Sequence, residues 1–257
     1  MVWNETSSPA VIVMLTQTHE SGREKCFPYY PHSTSRPDLK INAHDEFEDG
    51  LTHDLKLVSL TDNEEARVQV RELDMTAEDG SETKKIWHLL FGGWPDFLVP
   101  EDTDRDALLR LVDMSREKNG DNANNPRVIH CSAGVGRSGT FIALDWLLQE
   151  LAEGSLDEPG NEDPILKVVR TLRDQRMMMV QGEAQFTFLY DVIRDRWRDR
   201  WAELHPEEAE RLGLDAVREP KAKRPRSSRQ SEVSEQLEGD EDMHAELETE
   251  LADSALQ

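Results

Sequence analysis

The sequence predicts an α/β fold, and three observations carry that prediction. Short runs rich in Val, Ile and Leu are bounded by turn residues, as strands are. Longer segments in the second half repeat apolar residues every three to four positions, as amphipathic helices do. One run leads through a glycine-rich segment straight into such a helix. The composition then shifts near residue 205, which divides the chain into a folded domain, 1–204, and a tail, 205–257.

In chain order, "AVIVMLT" (10–16), "LKLVSL" (55–60), "ARVQVREL" (66–73), "KIWHLLF" (85–91) and "RVIH" (127–130) read as strands. "ARVQVREL" alternates apolar and polar residues, which predicts one wet face. Helices are predicted at 103–118, 138–152, 164–175 and 183–204. Phe141, Leu144, Leu148 and Leu151 make the apolar stripe of the second. "DNANNP" (121–126) is a turn cluster and "EGSLDEPGNEDP" (153–164) a loop. From about 205 the pattern dissolves. A basic, proline-interrupted stretch (218–229) precedes residues 230–257, which hold ten Asp or Glu and no Lys or Arg. Such a tail buries too little apolar surface to offset chain entropy, so it is expected to be disordered.

The formal charge of -23 sets the partners apart. A chain this acidic repels nucleic acid and anionic membranes at long range, so neither is an expected partner. No apolar run approaches the roughly 18 residues that predict a membrane span, so membrane insertion is not expected. The first residues have no basic region and no long apolar region, unlike a signal peptide. Two distant cysteines, Cys26 and Cys131, make no disulfide framework and suit a reducing, intracellular compartment. The cytoplasm is the expected location. "KAKRPRSSR" (221–229) has the shape of a nuclear import signal, which makes the nucleus a second one, with Ser227, Ser228 and Ser231 placed to tune it by phosphorylation.

The chemistry concentrates in "VIHCSAGVGRSG" (128–139), where a strand, a tight loop and a helix follow one another. Amides at a helix start point outward unpaired and carry partial positive charge. Small residues let the backbone wrap closely around a ligand. Ser132, Ala133, Gly134, Val135 and Gly136 therefore form an anion cradle of phosphate size. Arg137 adds a fork able to hold two phosphate oxygens. The same field stabilises a thiolate at Cys131; cysteines at helix starts in general titrate at about 3.5–7.5. A nucleophile and an anion nest in one loop point to attack on phosphorus. Free cysteines are also often simply buried. "GVGRSG" (134–139) formally fits a dinucleotide-binding glycine pattern, but a large arginine sits inside it. The helix after it leads into an acidic, proline-containing loop, not a second apolar strand.

His130, Cys131, Gly134, Gly136, Arg137 and Ser138 fit one chemistry together. The run from Val128 to Phe141 resembles the signature loop of the classical, non-receptor protein tyrosine phosphatases. The resemblance implies a twisted, mostly mixed β-sheet flanked by helices. It implies hydrolysis of phosphotyrosine in proteins, kinases among them, through a cysteinyl-phosphate, with no cofactor and no metal. A general acid is then needed for the leaving phenolate. "GGWPDFLVP" (92–100) resembles the family's mobile acid loop, which implies Asp96 as the acid and Trp94 as hinge anchor. "VQGEAQFTF" (180–188) places Gln181 and Gln185 four apart at a helix start. It resembles the family's glutamine loop, which implies that Gln181 positions water and Gln185 supports it. By the same resemblance Ser138 donates to the departing thiolate and His130 holds the loop. "HESGREKCFPYYP" (19–31) implies that Glu20 pairs with Arg137 and that Lys25 reaches the acid loop, with Tyr30 where the family has Trp. "LRDQRMMMVQ" (172–181) also matches, and Arg176 is expected to pack structurally.

The resemblance covers about residues 1–200 and leaves out an upstream stretch with an Asn-Arg-Tyr loop that sandwiches the substrate ring. The N-terminal part of the domain is therefore expected to be missing, with Met1 at an internal position. Two other readings follow: a dual-specificity phosphatase, since the depth-setting loop is absent, or a phosphoprotein-binding form with weak or no activity.

Overall fold

Each of the five apolar runs becomes a strand and each of the four periodic segments a helix. The computed structural model describes residues 1–214 apart from 46, 47, 49, 95–97, 121, 158, 159 and 161. In chain order the elements are α1 (Val2–Glu5), β1 (Ala10–Met14), β2 (His19–Glu20), β3 (Arg23–Glu24), β4 (Asp38–Ile41), β5 (His53–Asn63), β6 (Val68–Ala77), β7 (Thr83–Phe91), α2 (Asp102–Lys118), β8 (Val128–His130), α3 (Gly136–Ala152), α4 (Pro164–Gln175), α5 (Glu183–Leu204) and α6 (Pro206–Leu212). The chain divides after Arg194 into two compact units, Met1–Arg194 and Asp195–Gln257.

The first unit holds a mixed six-stranded sheet in the order β4-β5-β6-β7-β1-β8. β4 to β7 run antiparallel, whereas β1 lies parallel to both β7 and β8. All five residues of β1 are buried, because both faces of the strand are covered. That is why it reads as an unbroken apolar run. β5 shows the opposite pattern: His53, Leu55 and Leu57 are buried while Asp54, Lys56 and Val58 are exposed.

One face of the sheet carries Val11, Val13, Leu15, Val68, Val70, Leu89 and Phe91 against residues of α2 to α5. The other carries Ala10, Ile12, Met14, Leu55, Leu57, Leu73, Ile86 and Leu90, with Tyr30 and, from α1, Val2. Lys84 pins α1 by donating to the carbonyls of Val2 (3.2 Å), Trp3 (2.6 Å) and Thr6, a cation on the free carbonyls of a helix end.

Asp145 on α3 ties the strand β8 to its neighbours. It accepts from Arg116 Nε of α2 at 2.8 Å and pairs with Arg127, just ahead of β8. Strand, loop and helix are thus tied together across about 20 residues of sequence. At the far end of the sheet, Arg67 pairs with Asp104 near the start of α2, and its carbonyl accepts from Gly92 N–H at 3.0 Å. A Cβ on Gly93 would lie 2.7 Å from the Phe91 ring, so only glycine fits this corner.

The second unit differs from the expectation that the pattern dissolves at 205. α6 forms there, with Pro206 at its first turn, Glu207 and Glu208 beside it, Arg211 in the last turn and Gly213 at φ 67° just past the end. Proline, early acids, late base and left-handed glycine are each favourable for a helix, and the charged composition masked them. The basic and acidic stretches of the tail from 215 onward lie outside the described residues. Among the described residues no helix is long and apolar enough to cross a membrane.

Candidate active site

β8 ends at His130 and α3 begins at Gly136, so Cys131 to Val135 form the turn between them. Pairing with β1 continues past the strand: Leu15 N–H donates to His130 O at 2.9 Å. Ser132 and Ala133 are exposed, Gly134 and Val135 half-buried, Cys131 and Gly136 buried. Gly134 adopts φ 72°, a conformation that side chains rarely take, and its N–H donates to Cys131 Sγ at 3.2 Å. The loop thus folds back on its own sulfur and aims an amide at it.

Arg137 lies in the first turn of α3 and is buried. Its Nη1 donates to Leu15 O at 3.1 Å and to Glu20 Oε1 at 2.5 Å, and its Nη2 donates to Glu20 Oε2 at 2.8 Å. Glu20 is held in turn by Thr16 Oγ1 at 3.0 Å and Gln17 N–H at 3.2 Å. A fork gripped on both oxygens has little rotational freedom.

The glutamines arrive from the other side. The stretch before α5 presses on α3: Val180 N–H donates to Val135 O at 3.1 Å, beside the helix's own bond from Gly139 N–H. Arg173 holds this stretch through Met179 O (2.9 Å) and Val180 O (2.7 Å). Gln181 precedes α5 and is not on it, contrary to the expected shared helix face, because Gly182 intervenes and α5 starts at Glu183. The two side chains still converge. A Cβ on Gly136 would meet Gln185 Nε2 at 3.1 Å and Gln181 Oε1 at 3.4 Å. Gln185 is buried and accepts from Gly182 N–H at 3.2 Å; Gln181 is exposed.

Two expected contacts come out differently. Ser138 is buried, and its Oγ has no hydrogen-bond partner among the described residues, so the donor on Cys131 Sγ is the Gly134 amide. Arg176 is exposed, not packed inside, and donates to Ala133 O at 3.3 Å, which leaves a cation at the lip of the loop. Asp96 lies outside the described residues, together with Pro95 and Phe97. The flanks of that segment are described: Trp94 is buried and its Nε1 donates to Leu98 O at 3.1 Å. Lys25 is half-buried, with its backbone N–H on Thr18 O at 2.7 Å. Any contact of Lys25 with Asp96 is likewise outside the described residues.

His130 bonds through Nε2 to Tyr29 OH at 2.6 Å, and the same hydroxyl reaches His88 Nε2 at 3.0 Å. Burial pushes His130 below the ordinary imidazole range, against a backbone hydrogen bond at Cys131 that favours its charged form. Burial, and then the nearby charge of Arg71, push His88 well below it. Tyr29 is raised well above the ordinary phenol value, first by burial. Sequence reasoning missed Tyr29 and His88. The available signal for His88 was a histidine inside the apolar run of β7. Among the described residues no group of three His, Cys, Asp or Glu is gathered where it could hold a metal ion.

Comparison with known proteins agrees with this geometry. The family described as "Protein-tyrosine phosphatase" matches residues 1–195. Tyrosine-protein phosphatase 2 of Schizosaccharomyces pombe is 34% identical over 196 residues, covering 75% of this chain and 25% of that protein. Receptor-type tyrosine-protein phosphatase alpha of Mus musculus is 32% identical over 198 residues, covering 76% of this chain and 21% of that one. A solved structure of PTPN18, described for its fingerprint on HER2 tyrosine phosphorylation sites, superposes with a TM-score of 0.63 at 28% identity, over 76% of this chain and 62% of that one. The chain thus spans a quarter or less of the length of these two curated relatives. With the Cys131 loop, its arginine clamp and the adjoining glutamines all falling inside the matched residues, this chain belongs to the protein-tyrosine phosphatase family.

Proposed function

We propose that this chain hydrolyses phosphotyrosine in proteins through a cysteinyl-phosphate intermediate. The observation that carries the reading is Cys131 Sγ, which receives an amide hydrogen bond inside a loop that opens onto the start of α3, with Arg137 fixed in the helix's first turn. Amides and guanidinium bind the phosphoryl oxygens, and their positive field favours the thiolate. Sulfur attacks phosphorus, the bond to the tyrosyl oxygen breaks, and Asp96 supplies the proton that the leaving phenolate takes up. Water then attacks the phosphocysteine. The P–S bond breaks, the thiolate returns, inorganic phosphate leaves, and the proton from water goes to Asp96. Gln181 orients that water, and Gln185 keeps Gln181 against Gly136.

Family membership supports phosphotyrosine proteins as substrates, and we include kinases among those proposed. The separated cysteines and the basic run at 221–229 support the cytoplasm and nucleus as compartments. The test is hydrolysis of a phosphotyrosine peptide under single-turnover conditions, with acid-quenched protein analysed by mass spectrometry. Phosphate release together with a transient phosphoryl adduct on Cys131 is expected. Turnover that persists in Cys131→Ser would exclude the mechanism.

A further inference from the structure

His88 has no place in the chemistry above, yet it is fully buried on β7 and linked to the catalytic loop through one hydroxyl. The hydrogen bonds favour one arrangement of protons. The Tyr29 hydroxyl lies 2.6 Å from His130 Nε2 and 3.9 Å from Met14 Sδ, so the imidazole nitrogen is the better acceptor for its proton. A neutral His130 ring that accepts at Nε2 carries its proton on Nδ1. The Tyr29 oxygen is then an acceptor for His88 Nε2–H. His88 Nδ1 is left bare, and it has no hydrogen-bond partner among the described residues. The reverse order would bury an unpaired N–H donor there, a rarer and costlier state than a bare acceptor.

We propose that His88 is a positioning residue: its Nε2–H fixes the direction of the Tyr29 hydroxyl, which holds His130, the residue before Cys131, in the Nδ1-protonated form. The inference rests on the reading of Cys131 as nucleophile. Its surroundings keep the ring neutral. Arg71 on β6, His32 and Tyr30 after β3, and His130 on β8 all face it, and Arg71 lies over the Tyr30 ring at 4.4 Å. A second cation in that cluster is disfavoured, so the chain of protons keeps one polarity over the working pH range. Tyr29 retains its proton for the same reason of burial.

The first test needs no variant. Heteronuclear NMR of the imidazole nitrogens in the intact protein should find His130 protonated at Nδ1 and His88 at Nε2; either ring in the opposite tautomer overturns the proposal. The second test follows alkylation of Cys131 by iodoacetamide, resolved from Cys26 by peptide mass spectrometry, and it reads the sulfur whether or not the chain hydrolyses phosphotyrosine. His88→Phe should slow alkylation at pH 6 roughly tenfold, the size of one lost orienting hydrogen bond, with little change at pH 9. Tyr29→Phe should do the same, and the double variant should be no slower than Tyr29→Phe alone, since both remove one relay. His88→Gln, whose amide keeps a donor, should recover most of the rate. Additive losses, or unchanged alkylation in His88→Phe, would show a residue that only fills space.

Discussion

Glu20 grips Arg137 through both carboxylate oxygens, at 2.5 and 2.8 Å, with the two side chains only 12% and 9% exposed. Removing one partner of such a pair strands the other charge, a loss of about 3–5 kcal/mol where pairs are buried. Glu20→Ala should therefore lower the urea unfolding free energy by several kcal/mol and weaken inorganic phosphate binding. Glu20→Gln keeps a neutral acceptor and should lose less of both. Unchanged phosphate affinity in Glu20→Ala would mean that the clamp does not orient the guanidinium.

Sulfur and guanidinium are expected to divide their labour. Cys131→Ser should abolish turnover while inorganic phosphate still binds, because the amides and Arg137 remain. Arg137→Lys should lose both, since a point charge cannot replace a fork held by Glu20 and Leu15. Isothermal titration with phosphate beside steady-state rates separates the two outcomes.

Asp96→Ala should cost about 10²–10⁴-fold in kcat on phosphotyrosine, the usual worth of a general acid. The loss should shrink with an aryl phosphate whose phenol is acidic enough to leave without a proton. A plot of the Asp96→Ala rate against leaving-group acidity checks this; equal losses across the series would reassign the acid.

Gly139 is where backbone meets backbone. A Cβ there would lie 2.5 Å from Val180 N and 3.1 Å from Met179 Cα. Gly139→Ala should push the Gln181 segment off α3, weaken the Val180 N–H to Val135 O bond and destabilise by about 1–3 kcal/mol, as overpacking does. Breakdown of the phosphoenzyme should slow more than its formation, which rapid-quench measurements distinguish.

Stability should depend on pH from both sides. His88 and His130 are depressed in the folded state, so below about pH 6.5 the unfolded chain takes up protons that the fold does not. Stability is full above that value and declines as the pH falls toward the depressed folded values. Tyr190 is pushed up to about 12 by burial and by its 2.6 Å bond to Asp163. Above about pH 10 the unfolded chain releases a proton that the fold retains, and stability declines as the pH rises. Urea titrations at pH 5, 7 and 10.5 should bracket a maximum near neutrality, and His88→Gln should flatten the acid side.

Strands β1 and β5 to β8 and helices α2 to α5 were legible because each satisfies a local periodicity, and the cysteine loop was legible because its chemistry is contiguous. β4 and the β2–β3 hairpin were not. Their residues are polar and short in run, and they form strands only because a neighbouring edge offers them bonds. α6 was hidden by its charge, although its end signals were present.

The sequence by itself determined the order of strand, glycine loop and helix, and with it the candidate nucleophile, anion cradle and arginine, since these depend on residues within ten positions of one another. Only the tertiary structure decided which groups meet across distance. Glu20 reaches Arg137 across 117 positions, Tyr29 reaches His130 across 101 and His88 across 59, and the glutamines meet Gly136 from α5 and the stretch before it. Tyr29 carries no local signature, and for His88 and Ser138 the local pattern names the residue without naming what it meets. Their roles depend on sheet register and burial, which place a polar atom beside one partner and away from water, and spacing along the chain does not encode that.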